Sequence, residues 1–82
     1  MVEVLFFARL REALGLSRLT LEIAESITVA QLKERLTTRG APWQQAFGQC
    51  QVLVAINQEM ADDAAIVRPG DEVALFPPAT GG

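Results

Sequence analysis

The chain opens on Val2–Phe7, a short apolar, β-branched and aromatic run interrupted only by Glu3, and this pattern predicts a strand. Ala8–Leu14 switches to helical spacing, with Leu10 and Leu14 four apart and Gly15 placed to end a short helix. Leu19–Ala24 alternates, with Leu19, Leu21 and Ile23 on one side and Thr20 and Glu22 on the other, as a half-buried strand does. Thr28 and Gln31 have capping-box spacing, and Ile27 and Leu32 hold the staple positions around them. The helix they start continues through Val29, Leu32 and Leu36 and is expected to stop at Gly40, with Pro42 just beyond. Trp43–Phe47 adds a short helical turn, with Trp43 closing the core. Val52–Ile56 is almost wholly apolar, so it reads as a strand inside a sheet. Asn57-Gln58 turns into a short strand around Met60. Arg68-Pro69-Gly70-Asp71 has the residues of a type II turn, and Glu72–Phe76 forms the last strand.

The order is β-β-α-β-β-β, with a small helix between the first two strands. One long helix has to cover one face of a mixed sheet if so short a chain is to bury a core. The expected fold is α+β: a β-grasp (ubiquitin-like) domain of about five strands, covered by one long helix plus short helices. The domain spans residues 1–76, and residues 77–82 form an extended tail.

Composition narrows the chemistry. The 82 residues carry a formal charge of −3 and a pI near 4.7. The basic residues Arg9, Arg11, Arg18, Lys33, Arg35, Arg39 and Arg68 form no stripe, which argues against a nucleic-acid partner. The sequence has no His and one Cys, which removes Ser-His-Asp and Cys-His catalysis and zinc sites built on those residues, and no metal site is expected. Cys50 reads as a small buried hydrophobe, and one Cys fits a reducing compartment. No signal peptide and no membrane-length apolar run is visible, so a soluble cytoplasmic protein is expected. Asp62-Asp63 and Asp71-Glu72 read as solvated turn residues.

The end of the chain is distinctive. Pro77 and Pro78 donate no N–H and fix φ, so they stop the last strand and launch a stiff segment. Ala79, Thr80, Gly81 and Gly82 follow. Six residues reach roughly 20 Å at about 3.3–3.6 Å each. Gly81 and Gly82 lack Cβ atoms and suit a narrow slot. The competing reading is an ordinary frayed terminus. The group such a tail would deliver is the Gly82 α-carboxylate, which is ionised at neutral pH and needs activation by another enzyme before it can react.

Strand parity adds a surface. Glu72 should face solvent, which puts Ala74 and Phe76 on the outer face, and Glu3 does the same for Leu5 and Phe7. If the first and last strands are neighbours, Phe7 and Phe76 make an apolar docking patch at the root of the tail, unless a loop covers them. Met60 is a candidate third member, and Arg11 a candidate for pairing with a partner carboxylate.

The ending Leu75-Phe76-Pro77-Pro78-Ala79-Thr80-Gly81-Gly82 and the opening Val4-Leu5-Phe6-Phe7-Ala8-Arg9-Leu10-Arg11-Glu12 resemble the small, sulfur-carrying subunits of molybdopterin synthase (MoaD type). Val54–Gln58 and Gly70–Ala74 are similar to that family's later segments. Ala79 departs from it, since Val is commoner there. The resemblance implies that an activating enzyme uses ATP to adenylate Gly82, and that a persulfide donor converts the adenylate to a thiocarboxylate. It further implies that Gly81, Thr80, Ala79, Pro78 and Pro77 enter the large subunit of a heterotetramer of two small and two large subunits. There sulfur passes to a pyranopterin to build the dithiolene of molybdopterin. No permanently bound cofactor is implied, and the catalytic groups are expected on the large subunit. Two alternatives stay open: a sulfur carrier for another product, such as the thiazole of thiamine, and a ubiquitin-like protein modifier.

Overall fold

The structure is a computed structural model that describes residues 1–49 and 51–78, so Cys50 lies outside the described residues. Along the chain run β1 (Val2–Phe6), α1 (Ala8–Leu14), β2 (Arg18–Leu21), β3 (Ile27–Thr28), α2 (Val29–Thr37) and α3 (Ala41–Gln49). They are followed by β4 (Leu53–Ile56), β5 (Glu59–Ala61), β6 (Ile66–Val67) and β7 (Glu72–Phe76). Five strands form one sheet in the order β2-β1-β7-β4-β5. β1 and β7 run parallel at its centre, and every other neighbouring pair is antiparallel. This is the mixed sheet of a β-grasp domain.

The core follows from strand parity. Val2, Val4 and Phe6 alternate inward along β1, and Val73 and Leu75 along β7, all buried. Across the parallel ladder Val4 pairs with Val73 and Phe6 with Leu75, so the two strands bury one continuous face. Leu10 of α1, Val29, Leu32 and Leu36 of α2, and Trp43 and Ala46 of α3 close over it. Trp43 meets Phe6 edge-on at 5.5 Å and stacks on Phe47 at 6.5 Å. The Arg39 guanidinium lies 5.0 Å above the indole and completes the lid. Among the described residues no polar or charged side chain is buried.

The start of α2 is fully paired. The capping box expected at Thr28 forms: Gln31 N donates to Thr28 Oγ1 at 3.1 Å, and Thr28 N donates to Gln31 Oε1 at 2.9 Å. The next two N–H groups, of Val29 and Ala30, donate to the carbonyls of Ala65 and Asp63, each at 3.0 Å. The donors a helix start normally leaves free thus fasten the β5–β6 loop onto the helix. Lys33, one turn further on, donates to Asp63 Oδ1 at 2.7 Å and to Val52 O at 2.9 Å.

Three sequence expectations need correction. α2 ends at Thr37, short of Gly40, because the Thr37 and Thr38 hydroxyls donate back to Glu34 O and Arg35 O at 2.7 and 2.6 Å and close the last turn. The segment after Gly40 is a nine-residue helix, longer than the short turn expected. Pro42 opens that helix instead of marking the end of the previous one, since the first helical turn tolerates a residue without N–H. β2 stops at Leu21 instead of Ala24, because Leu21 already pairs with Val2, where β1 begins. The small β3–β6 ribbon had no sequence signal, each strand being two residues long.

Both turns form as read. Asn57 and Gln58 have φ of 50° and 71°, the left-handed pair of a tight hairpin. Gly70 has φ 97°, and Asp71 N donates to Arg68 O at 3.0 Å. The Asp71 carboxylate accepts from Arg68 N at 2.8 Å and from Asn57 Nδ2 at 3.0 Å, tying one turn to the other. The Arg68 N–H, and then the Asn57 amide, hold this carboxyl below the usual aspartate range.

Thr28→Ala removes one cap acceptor and is expected to destabilise the fold by about 1 kcal/mol, with an unchanged denaturant slope. A urea titration checks this, and an unshifted midpoint would show that the cap contributes nothing.

Candidate functional site

Every helix packs on one face of the sheet, and among the described residues the other face is left to the strands. The register fixes what that face presents. Leu5 of β1 pairs with Arg18 of β2 on one side and with Ala74 of β7 on the other. Ala74 pairs with Ala55 of β4, and Ala55 pairs with Met60 of β5. A row Arg18, Leu5, Ala74, Ala55, Met60 therefore crosses the whole sheet. The next row toward the end of β7 is Leu53 opposite Phe76. At the other end, Thr20, Glu3 and Glu72 form a polar row, with Glu3 salt-bridged to Arg18 at 3.0 Å. The face is therefore graded, apolar where β7 ends and acidic where it begins.

The two aromatic residues sit at the apolar end. Phe7 N donates to Leu75 O at 3.2 Å, so the β1–β7 ladder runs one residue past β1. Phe7 is extended, with φ −126° and ψ 155°, which turns its side chain away from Phe6 and onto the outer face. It is 45% exposed and Met60 is 65% exposed, whereas Phe76 is half-buried. The chain leaves Phe7 through Ala8, whose φ of 52° is uncommon for a residue with a Cβ, and enters α1 at once.

Of the residues expected to form a docking surface, the structure brings Phe7, Phe76 and Met60 to this one face. Arg11 lies apart from it, exposed on α1. Among the described residues the ion pairs are Arg18–Glu3 and Lys33–Asp63, so the Arg11 guanidinium has no carboxylate partner. Pro77 and Pro78 follow β7 outside regular structure and are half-buried. Ala79, Thr80, Gly81 and Gly82 lie outside the described residues. Sequence reasoning missed Leu53 and Ala55. β4 has no polar residue, so its pattern gave no sign of which side chains faced out.

The described residues hold no group of His, Cys, Asp and Glu able to bind a metal, and no helix among them is long and apolar enough to cross a membrane. Asp62 accepts from Ala64 N at 3.0 Å in a local turn, and Asp63 is taken up by Lys33, so these carboxylates serve the loop. What the site offers is a flat apolar surface beside the root of a small-residue tail.

Comparison with known proteins bears on that arrangement. The ThiS family model matches residues 4–82. The chain is 42% identical over 82 residues to the molybdopterin synthase sulfur carrier subunit of Haemophilus influenzae, and 38% identical over 82 residues to that of Escherichia coli, with all of each chain covered in both cases. Among solved structures it is similar to SAMP1 of Haloferax volcanii, a small archaeal modifier protein, with a TM-score of 0.79 and 27% identity over 99% of this chain and 98% of that one.

The face assignment predicts opposite outcomes for two substitutions. Leu75→Ala empties the packed face and is expected to cost about 2–5 kcal/mol. Met60→Thr on the bare face should change stability by no more than about 0.5 kcal/mol. Equal losses in chemical denaturation would overturn the assignment.

Proposed function

Because this chain belongs to the ThiS family, we propose that it is the sulfur-carrying subunit of molybdopterin synthase, with the carbonyl carbon of Gly82 as its reactive atom. The observation that carries this reading is a Phe-Pro-Pro-Ala-Thr-Gly-Gly ending set on the central strand of a domain whose sequence has no His and a single Cys. In the proposed cycle a Gly82 carboxylate oxygen attacks the α-phosphorus of ATP on an activating enzyme, and pyrophosphate leaves. A persulfide sulfur then displaces AMP from the carbonyl carbon. A second thiol then attacks the donor's sulfur in the resulting acyl disulfide, forming a disulfide with the donor, and the broken S–S bond leaves its electron pair on the terminal sulfur as a thiocarboxylate. Such a group is a soft nucleophile held on a tether, and delivering it needs reach and slimness, not acid–base residues on the carrier.

The bare sheet face fits the partner role. Its apolar end adjoins the tail, so a large subunit seated on Phe7, Leu53, Met60 and Phe76 would receive the tail at the edge of the same contact. Sulfur transfer to a pyranopterin would then use the partner's groups. Arg11, exposed on α1 and apart from this surface, is proposed for a separate contact with a partner carboxylate. ATP enters only on the activating enzyme, and no cofactor is assigned to the carrier.

A protein modifier is the second reading, favoured by the structural likeness to the Haloferax modifier protein. It would use the same activated carbonyl to acylate lysine amines on other proteins. Intact mass of the chain, made together with an activating enzyme and a sulfur donor, separates the two. The carrier reading expects a gain equal to the exchange of one terminal oxygen for sulfur, and the modifier reading expects ladders of larger conjugates. One residue appended after Gly82 should abolish either product, and a capped chain that still supports molybdopterin synthesis would refute the tail chemistry. For the surface, Phe76→Ala is expected to weaken binding of the large subunit at least about tenfold, with the fold retained. Unchanged binding by calorimetry would remove that patch from the interface.

A further inference from the structure

An activated Gly82 carbonyl endangers its own carrier. If a lysine amine of a second copy attacks it, the nitrogen lone pair forms a C–N bond, the C–O bond to AMP breaks with its electrons, and the amine proton goes to solvent. The product is an isopeptide-linked pair whose terminus can no longer take up sulfur. Building on the reading of Gly82 given above, we propose that Lys33, the only lysine in the sequence, is withdrawn from acyl transfer by the fold. This chain then gives away its terminal acyl group without accepting one on a side chain.

The sequence supplies half of the case. Six of the seven basic residues are arginines, at positions 9, 11, 18, 35, 39 and 68. A guanidinium stays protonated in proteins and offers no lone pair for acyl transfer. Positive charge on the exposed surface is therefore carried by side chains that cannot be acylated.

The structure supplies the other half. The Lys33 side chain is only 19% exposed, far from the free state of most lysines. Its ammonium donates to Asp63 Oδ1 at 2.7 Å and to Val52 O at 2.9 Å. To act as a nucleophile, the nitrogen must lose a proton and turn a lone pair outward, which works against both contacts. Neither acceptor is loose. Val52 is buried at the entrance to β4, and the Asp63 backbone carbonyl is held by Ala30 N at the start of α2. The same helix-cap contacts that fasten the β5–β6 loop thus hold the carboxylate against the lysine.

The test supplies its own electrophile, so its result does not depend on whether Gly82 is activated. The full chain bearing Gln45→Lys, on the exposed side of α3, is treated with the N-hydroxysuccinimide ester of acetic acid. Acetylation at each lysine is followed by peptide mass spectrometry. Lys33 is expected to react at least about tenfold more slowly than the introduced lysine, the factor that one charge-assisted hydrogen bond supplies. Adding Asp63→Ala, at a side chain that is 62% exposed, should raise the Lys33 rate severalfold while circular dichroism shows the fold intact. Equal rates at the two lysines in the first chain would overturn the proposal, and that comparison needs no loosening variant. A Lys33 rate unmoved by Asp63→Ala in a folded chain would overturn the role of the ion pair.

Discussion

Parallel pairing of the first strand with the last is the constraint on which the molecule depends. Val4 against Val73 and Phe6 against Leu75 put the two ends of the sequence side by side at the centre of the sheet. The pairing builds the middle of the core. Because parallel strands point the same way, it also brings Phe7 and the end of β7 out at one edge. The segment after β7 therefore leaves from a central strand that is paired on both sides. A rigid root limits the motion that would be multiplied along whatever it carries.

The two faces of the sheet divide the work. One is covered by three helices and holds every buried apolar side chain of the strands' inner parity, together with Trp43. The other carries a graded surface, with Leu53, Phe76 and Met60 near the tail and Glu3 and Glu72 at the far end. Exposed apolar area on so small a domain costs solubility, and the acidic end together with the net charge of −3 offsets that cost.

Much of this was readable in the residue order, for identifiable reasons. Thr28 and Gln31 announced the main helix because side-chain capping is a local interaction with fixed spacing. Glu3 and Glu72 announced the outer face because a carboxylate on a strand cannot point into a core. Leu53 and Ala55 stayed hidden because β4 lies between two neighbours and has no polar residue to reveal its parity. The full length of α3 stayed hidden because Pro42 and Gly40 together resemble a stop, and only the packing of Trp43, edge-on against Phe6 and stacked on Phe47, shows why the chain resumes a helix there. The β3–β6 ribbon was invisible since two-residue strands exist through their partners. The partners of Lys33 were equally out of view, 19 and 30 positions along the chain.

A central strand that is made after all the others in its sheet has a consequence for the life of the molecule. While the chain is still emerging from the ribosome, β1 has no neighbour on one side and the core lacks Val73 and Leu75. Folding must wait until residues 72–76 have been made. A message cut short before residue 72 would yield a product with a hole in the middle of its sheet, open to proteolysis. Cells that clear unfolded chains would thereby discard most copies truncated ahead of that strand.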